Sequence, residues 1–238
     1  MAIRGIIFDL DGVLCDSEPF ICEAACRMFQ ERGVQARPDD FRPFVGMGEE
    51  RFIGGVAEKY GVQVDLIAAK ARTYAIYLEI IRGRLRPMHG VGAFLDACRA
   101  RGFRMAVASS ADEVKVAANL SEIGFPPSKF DAVVNGLMVA RKKPAPDIFL
   151  LAAERIDLPP EFCLVVEDAP SGLRAAQAAG CTALGVRSSF DDATLRSAGA
   201  SWTVRDLAEA CGLLPRMLGG TQVKPTEPQN IECQGAES

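Results

Sequence analysis

The 238-residue sequence has a single histidine, His89, and its eight cysteines include no Cys-x-x-Cys pair. One histidine argues against zinc sites built from cysteine and histidine, and against a Ser-His-Asp triad. We interpret His89 as a hinge or packing residue, and the cysteines within apolar runs as small buried hydrophobic residues. The sequence therefore points away from zinc enzymes and from histidine-based nucleophilic catalysis.

Long apolar runs and a strong net charge are also lacking. No stretch approaches the roughly 18 apolar residues of a membrane span, and the net charge of −4 provides no basic surface for nucleic acid or anionic lipid. We therefore expect neither nucleic acid nor a membrane as a partner, and we expect a monomer. The first apolar run begins at residue 3, so we expect no targeting peptide. We expect a cytoplasmic protein, with the plastid stroma as the alternative for a processed form.

Short apolar runs alternate with helical patterns along most of the chain, which is typical of α/β proteins. We expect buried strands at residues 3–8, 105–108, 132–134, 164–166 and 183–186. Helical patterns at residues 91–101, 112–123 and 171–179 each end at a glycine, as helices commonly do. This alternation predicts a doubly wound, mostly parallel sheet with helices on both faces.

The segment at residues 16–86 breaks this alternation, because it contains no convincing buried strand. Asp16-Ser17-Glu18-Pro19 is typical of a helix start, and further helical patterns occupy residues 49–60 and 66–81. We predict an α-helical cap domain at residues 16–86, inserted into a core made of residues 1–15 and 87–214. Residues 215–238 are polar with few large apolar side chains, so we predict a disordered tail.

Two carboxylates, Asp9 and Asp11, directly follow the first predicted strand. Gly12 then allows a sharp turn, and α/β sheets place ligands at the carboxyl ends of their strands. Two like charges this close repel each other unless a cation lies between them. Mg²⁺ takes oxygen ligands of this kind and retains water and phosphate oxygens in its shell. The alternative interpretation is an ordinary exposed Asp-x-Asp-Gly turn.

Three further polar clusters follow the later strands or the segments after them. Ser109 follows residues 105–108, Lys143 begins Lys-Pro-Ala-Pro-Asp, and Glu167-Asp168 follow residues 164–166. Taken alone, Ser109 is also a common helix cap, and Glu167-Asp168 also suit the start of a helix. Together with Asp9 and Asp11, they predict one site.

In order and spacing, these clusters resemble the motifs of the haloacid dehalogenase (HAD) superfamily of phosphotransferases, over roughly residues 3–210. The resemblance implies a Rossmann-like core, and a helical insert directly after the first motif is similar to the caps of the β-phosphoglucomutase-like branch. Segments 44–48 and 108–112 also resemble a HAD-like domain of a plant thylakoid protein, which is the reason for the plastid alternative.

The resemblance implies a phosphatase that hydrolyses a small phosphorylated metabolite, such as a sugar phosphate. Asp9 then attacks phosphorus to form an aspartyl-phosphate, and Asp11 is the general acid and later the general base. Ser109 and the following amides, including that of Ser110, bind phosphate oxygens. Lys143 supplies positive charge beside Asp9.

The implied cofactor is Mg²⁺. Its expected ligands are Asp9, Asp168 and Asp11, the last through its backbone carbonyl, with Glu167 as a further ligand or as a partner of one.

Substrate selection is expected from the insert, where Gly46, Glu49 and Arg51 should face the leaving group. A β-phosphoglucomutase-like mutase is the first alternative, but such mutases have a histidine near the position of Ile21 and an arginine near Glu49. A haloacid dehalogenase is disfavoured because it lacks the second motif aspartate, which Asp11 supplies here. A catalytically silent regulatory or binding domain is the remaining alternative, although no motif residue is missing.

Overall fold

The computed structural model describes residues 2–44 and 48–217, which contain six β-strands and ten α-helices. The strands are β1 (Gly5–Phe8), β2 (Arg104–Ala108), β3 (Ala132–Val134), β4 (Cys163–Glu167), β5 (Thr182–Val186) and β6 (Trp202–Val204). The helices are α1 (Glu18–Gln30), α2 (Pro38–Phe41), α3 (Glu49–Lys59), α4 (Leu66–Ile80), α5 (Val91–Ala100), α6 (Glu113–Glu122), α7 (Asp147–Arg155), α8 (Pro170–Ala178), α9 (Asp192–Ser197) and α10 (Leu207–Met217).

The strands form one sheet in the order β3-β2-β1-β4-β5-β6, and every neighbouring pair is parallel. The predicted α/β class and doubly wound sheet are confirmed, and the sheet is wholly parallel rather than mostly so. Strand β1 lies in the middle, with β2 on one side and β4 on the other. The strand order therefore reverses beside β1, and such a reversal opens a crevice at the carboxyl ends of the strands.

All five predicted strands are present, but β6 was not predicted. It has three residues, Trp202–Val204, and two of them are only partly buried, so its sequence carries no apolar run. The helices predicted to end at glycines do so. Gly102 and Gly124 follow α5 and α6 with φ of 73° and 83°, a region that residues with a side chain rarely adopt.

Helices cover both faces of the sheet, which explains why the sequence of β1 is a continuous run of apolar residues. Ile6 and Phe8 belong to a core cluster with Phe94 of α5, whereas Ile7 points to the opposite cluster, which includes Phe149 of α7. All five side chains are fully buried. The Phe8 and Phe94 rings meet edge to face, with centroids 6.0 Å apart, a favourable aromatic geometry.

Helices α1 to α4, residues 18–80, lie between β1 and α5 and are called the helical insert below. Helix α1 packs against α4, and α3 packs against both α2 and α4. Their shared core buries large side chains, which are Met28, Phe29, Phe41, Ile53 and Tyr77. The short helix α2 and the 3-10 helix Arg42–Phe44 were not predicted.

The chain enters and leaves the helical insert through two adjacent segments. The Met88 N–H donates to the Leu14 carbonyl at 3.0 Å, and Cys15 and Pro87 form an isolated antiparallel bridge. A boundary between core and cap near residues 15 and 87 therefore remains our proposal.

Helix α10 extends to Met217, three residues into the segment assigned to the tail, and residues 218–238 lie outside the described ranges. Within the described residues, no helix is both long enough and apolar enough to cross a membrane.

Candidate active site

Four of the predicted residues lie where strands end, at the carboxyl edge of the sheet. Asp9 follows β1, and its N–H continues the strand pairing by donating to the Val166 carbonyl at 2.9 Å. Ser109 follows β2 and continues its pairing with β3 in the same way. Glu167 ends β4, and Asp168 comes next. Because β2, β1 and β4 are neighbours, these side chains are brought to one edge of the sheet.

The Lys143 ammonium group joins two of these carboxylates. It lies 2.5 Å from an Asp9 oxygen and 3.1 Å from a Glu167 oxygen, and it donates to the Ala108 carbonyl at 3.4 Å. Burial disfavours the charge of this lysine, but the charges of Asp9 and Glu167 outweigh burial and raise its pKa. Lys143 is therefore a permanent positive charge beside Asp9.

Three buried carboxylates, Asp9, Glu167 and Asp168, have oxygens within 4.8 Å of one another. Burial raises the pKa of each, and Asp9 adds repulsion at both of the others, so the pKa of Asp168 reaches about 7. One lysine does not balance three such groups. A set of converging carboxylate oxygens with excess negative charge fits a hard divalent cation such as Mg²⁺.

Two serines that the sequence analysis missed hold Asp168. The Ser189 hydroxyl donates to Asp168 Oδ2 at 2.5 Å, and the Ser188 hydroxyl lies 3.3 Å from the same oxygen. Ser188 also donates to the Gly12 carbonyl at 2.6 Å, which ties the turn after β1 to the Asp168 side. Both serines closely follow β5. The expectation that polar residues just after a strand belong to the site, which identified Asp9, would also have identified these serines.

Gly12 allows the turn after β1 to approach Asp168 closely. Its φ is 80°, and a Cβ atom built on it would lie 2.1 Å from Asp168 Oδ2. A side chain here would therefore combine an unfavourable backbone conformation with a steric clash.

The Asp11 carboxylate is not part of this group of three carboxylates and instead contacts a second set of polar side chains. Lys115 of α6 lies 3.0 Å from Asp11 Oδ2, and Asn119, one helical turn later, donates to Oδ1 at 3.4 Å. The Ser17 hydroxyl also donates to Oδ1. Lys115 and Asn119 were not predicted. The sequence did carry a signal for them. Lys115 and Asn119 are four residues apart on a helix face that also carries the buried residues Val116 and Leu120, and polar residues on such a face indicate a buried polar contact.

The loop after β2 is anchored by the loop after β3. The Gly136 N–H donates to the Ala111 carbonyl at 2.8 Å, and the Lys142 ammonium group donates to the Gly136 carbonyl. A Cβ on Gly136 would lie 2.1 Å from the Ser110 carbonyl oxygen. The Ser109 hydroxyl accepts from the Ala111 N–H at 3.2 Å and donates to no other described residue. Its hydrogen is therefore left for a ligand.

The structure separates Glu49 and Arg51, two of the three insert residues that were predicted to face the leaving group. Glu49 begins α3 and lies 3.7 Å from Lys115, close to Asp11. Arg51 instead pairs with Glu58 at 2.8 Å, and its guanidinium lies 5.0 Å from the centre of the Phe44 ring. Gly46 lies outside the described residues. A substrate-binding role for Arg51 and Gly46 remains a prediction.

His89 lies near the return from the insert. Its ring nitrogen is 3.1 Å from an Asp206 oxygen, just before α10. The His89 side chain is 75% exposed, so this contact lies at the surface, and the interpretation of His89 as a hinge or packing residue remains a prediction.

A family model for haloacid dehalogenase-like hydrolases matches residues 3–180. The chain belongs to the haloacid dehalogenase-like hydrolase family. Its relatives include the chloroplastic protein SUPPRESSOR OF QUENCHING 1 of Arabidopsis thaliana, with 42% identity over 210 residues, or 86% of this chain and 20% of that protein. The hydrolase thus spans about a fifth of that relative's length.

Two bacterial relatives match along most of their own length. The phosphorylated carbohydrates phosphatase of Thermotoga maritima is 31% identical, covering 80% of this chain and 88% of that protein. The β-phosphoglucomutase of Bacillus subtilis is 29% identical, covering 77% and 83%. Among solved structures, CbbY from Rhodobacter sphaeroides in complex with phosphate has a TM-score of 0.76 at 26% identity, covering 87% of this hydrolase and 96% of that chain. The predicted superfamily and branch are confirmed.

We expect the metal-free hydrolase to lose stability as the pH rises from about 4 to about 7. The pKa of Asp168 is about 7 in the folded protein against 3.8 for an exposed aspartate, and the pKa values of Asp9 and Glu167 are also raised. In this window the folded protein therefore binds more protons than the unfolded chain, so the free energy of unfolding falls with pH. Urea denaturation in EDTA measures it. Asp168→Asn should flatten the slope, and an unchanged slope in that variant would contradict the assignment.

We expect Gly12→Ala to destabilise the hydrolase more than Gly102→Ala. Both glycines have positive φ, so each substitution should cost about 1–2 kcal/mol through the backbone alone. Only Gly12 has the Asp168 carboxylate in the path of the new methyl group, because a Cβ on Gly102 meets nothing within 4 Å. Urea denaturation of the two variants side by side gives the difference, and equal losses would refute the close approach.

Proposed function

We propose that this hydrolase is a Mg²⁺-dependent phosphatase that releases phosphate from small phosphorylated metabolites, such as sugar phosphates. One observation carries the proposal. Asp9 lies at the carboxyl end of the central strand, in contact with the Lys143 ammonium group and within 4.8 Å of carboxylate oxygens of Glu167 and Asp168. A nucleophile there has positive charge and a candidate cation site directly beside it, which phosphoryl transfer requires.

In the first step, a carboxylate oxygen of Asp9 attacks phosphorus, and the bond from phosphorus to the leaving oxygen breaks. Asp11, in its protonated form, donates its proton to that oxygen, so the product leaves as a neutral alcohol and Asp11 becomes the carboxylate that Lys115, Ser17 and Asn119 contact. In the second step, Asp11 takes a proton from water while the water oxygen attacks phosphorus. This step releases inorganic phosphate and restores the Asp9 carboxylate.

The phosphoryl oxygens need donors that are already in place. Lys143 offers a protonated ammonium group beside Asp9. Ser109 is buried and has its hydroxyl hydrogen left for a ligand, because its oxygen accepts from the Ala111 N–H. Donors fixed before the reaction stabilise the developing charge without the cost of reorganisation.

The residues that would hold Mg²⁺ are Asp9, Asp168 and the backbone carbonyl of Asp11. Glu167 is committed to Lys143 at 3.1 Å, so we assign it to orienting the lysine or to binding the ion through water. When bound, the ion would supply positive charge to the phosphoryl oxygens. Ser188 and Ser189 would hold Asp168 in position for it.

The helical insert is proposed to be the cap that covers the site and selects the leaving group. The relatives give the substrate class, since one is named for phosphorylated carbohydrates and another, from Escherichia coli, for fructose 1-phosphate. A cytoplasmic or plastid location and a monomeric state remain predictions.

Two observations favour a phosphatase over a mutase. Ile21, near the position where mutases have a histidine, is buried and has no group that exchanges protons. Glu49 places a carboxylate where a mutase would use a cation for the second phosphate of a sugar bisphosphate. Efficient interconversion of β-glucose 1-phosphate and glucose 6-phosphate would reverse this assignment.

We expect Asp9→Asn to abolish phosphate release, with a loss of at least about 10⁴-fold in kcat, because the amide cannot act as the nucleophile. Release of inorganic phosphate from fructose 1-phosphate with Mg²⁺ measures it. Asp96→Asn is the matched control, since Asp96 is an exposed aspartate paired with Arg99. The control should keep full activity, and both variants should unfold at temperatures close to that of the parent. Near-normal turnover by Asp9→Asn would exclude the covalent mechanism.

We expect phosphate release to require Mg²⁺ and to be inhibited by Ca²⁺. Calcium accepts more ligands at longer distances, which should spoil the alignment of the nucleophile and the phosphoryl group. The test is phosphate release after EDTA treatment, followed by addition of each ion, with the melting temperature as an independent measure of binding. Full activity in excess EDTA would refute the requirement.

A further inference from the structure

Lys115, on the core helix α6, links the proposed general acid to the helical insert. Its side chain is only 6% exposed, and its ammonium group lies 3.0 Å from Asp11 and 3.7 Å from Glu49 at the start of α3. It also lies 5.9 Å from the centre of the Tyr77 ring of α4. Burial opposes its charge, but the two carboxylates outweigh burial and raise its pKa. Lys115 is therefore a charged group already engaged by two anions.

The other lysine at this junction is engaged in the same way. Lys70 of α4 lies 3.0 Å from Asp112 and 3.2 Å from Glu50. Residues 45–47, which lie outside the described ranges, are valine, glycine and methionine and carry no charge. The leaving-group side of Asp11 therefore offers no uncommitted lysine among the described residues, and the segment just before α3 cannot supply one.

Negative charge instead accumulates around Asp11. Asp16 and Glu18 lie close enough that the Asp11 charge, added to burial, raises the pKa of each. With Asp11 and Glu49 there are two carboxylates in contact with the single Lys115, and two more nearby. A second anion on a substrate would enter this field and meet repulsion.

One buried polar group at this junction can serve an uncharged substrate. The Tyr74 hydroxyl is buried and has no hydrogen-bond partner among the described residues. Burial and then the neighbouring Glu49 carboxylate raise its pKa, so the hydroxyl stays protonated beside Glu49. Glu49 is partly exposed and can accept from a hydroxyl group of an uncharged polyol.

We propose that Glu49, held by Lys115, makes this hydrolase selective for monophosphates of uncharged sugars or polyols, and that it disfavours bisphosphates and phosphorylated carboxylic acids. The inference rests on the proposed phosphatase function and specifies its substrate. Specificity here comes from a repulsive element, since the pocket need not contact the correct substrate more strongly in order to reject the wrong one.

Substitutions of Lys115 and of Glu49 should change the preference for a bisphosphate over a monophosphate in opposite directions. Glu49→Gln removes one negative charge and releases Lys115 toward a second anion, so it should favour a bisphosphate. Among the described residues, Lys115 carries the positive charge that contacts both Asp11 and Glu49, so Lys115→Met should disfavour a bisphosphate further.

The test compares kcat/KM for fructose 1-phosphate, fructose 6-phosphate and fructose 1,6-bisphosphate, with phosphoglycolate as the carboxylate probe, measured as phosphate release with Mg²⁺. For the parent protein we expect the better fructose monophosphate to exceed both the bisphosphate and phosphoglycolate by at least about tenfold. Glu49→Gln should raise the ratio of bisphosphate to monophosphate by about tenfold, and Lys115→Met should lower it. Glu79→Gln, an exposed carboxylate elsewhere on α4, is the matched control and should leave the ratio unchanged.

The outcomes separate this inference from the function on which it rests. Release of phosphate from none of the four esters would contradict the proposed function. Release from monophosphate and bisphosphate at similar kcat/KM, or a ratio that Glu49→Gln does not change, would overturn the selectivity alone. If Lys115→Met does not fold, Glu49→Gln decides by itself, because this substitution leaves the buried lysine paired with Asp11.

Discussion

The contact between the Lys143 ammonium group and Asp9 is the interaction on which the rest of the site depends. Three carboxylates are buried within 4.8 Å of one another, and burial alone would drive them to the protonated state. Lys143, itself buried and paired with two of the three, offsets part of that cost. The three carboxylates and one lysine together keep a net negative charge, which a divalent cation can neutralise. The same ammonium group opposes the effect of burial on Asp9 and favours the charged form that a nucleophile requires.

The sheet topology explains why these groups meet and why the insert begins beside them. Strand β1 has β2 on one side and β4 on the other, so the loops after all three open into one crevice. An insertion directly after β1 starts within that crevice. Its entry and exit are hydrogen-bonded to each other between Leu14 and Met88. A helical insert at this point can therefore contact Asp11 through Glu49 and Lys115 while the core sheet stays continuous.

Strands and helices that leave a local sequence pattern could be predicted, whereas contacts between residues far apart in the sequence could not. Strands buried on both faces read as apolar runs, whereas β6, with two half-buried residues, carries no such signal. The contact between Asp11 and Lys115 joins residues 104 positions apart, and no local pattern reports it. The pair Glu49 and Arg51 is different. Two residues two positions apart on a helix point in nearly opposite directions, so the sequence already implied that both could not face one leaving group.

The two buried lysines divide the site into sides with different demands. On the Lys143 side the transferred phosphoryl group is anionic throughout, so excess positive charge there is useful in both steps. On the Lys115 side the first product of the proposed reaction is a neutral alcohol. The Lys115 ammonium group is already paired with Asp11 and Glu49, so it does not retain this product by charge. The alcohol can therefore leave, and water can take its place beside Asp11. A mutase needs the reverse, because its intermediate must be retained by its second phosphate until it is phosphorylated again. In the mechanism that we propose, the pairing of Lys115 with Glu49 is thus a physical reason for hydrolysis to follow the first transfer.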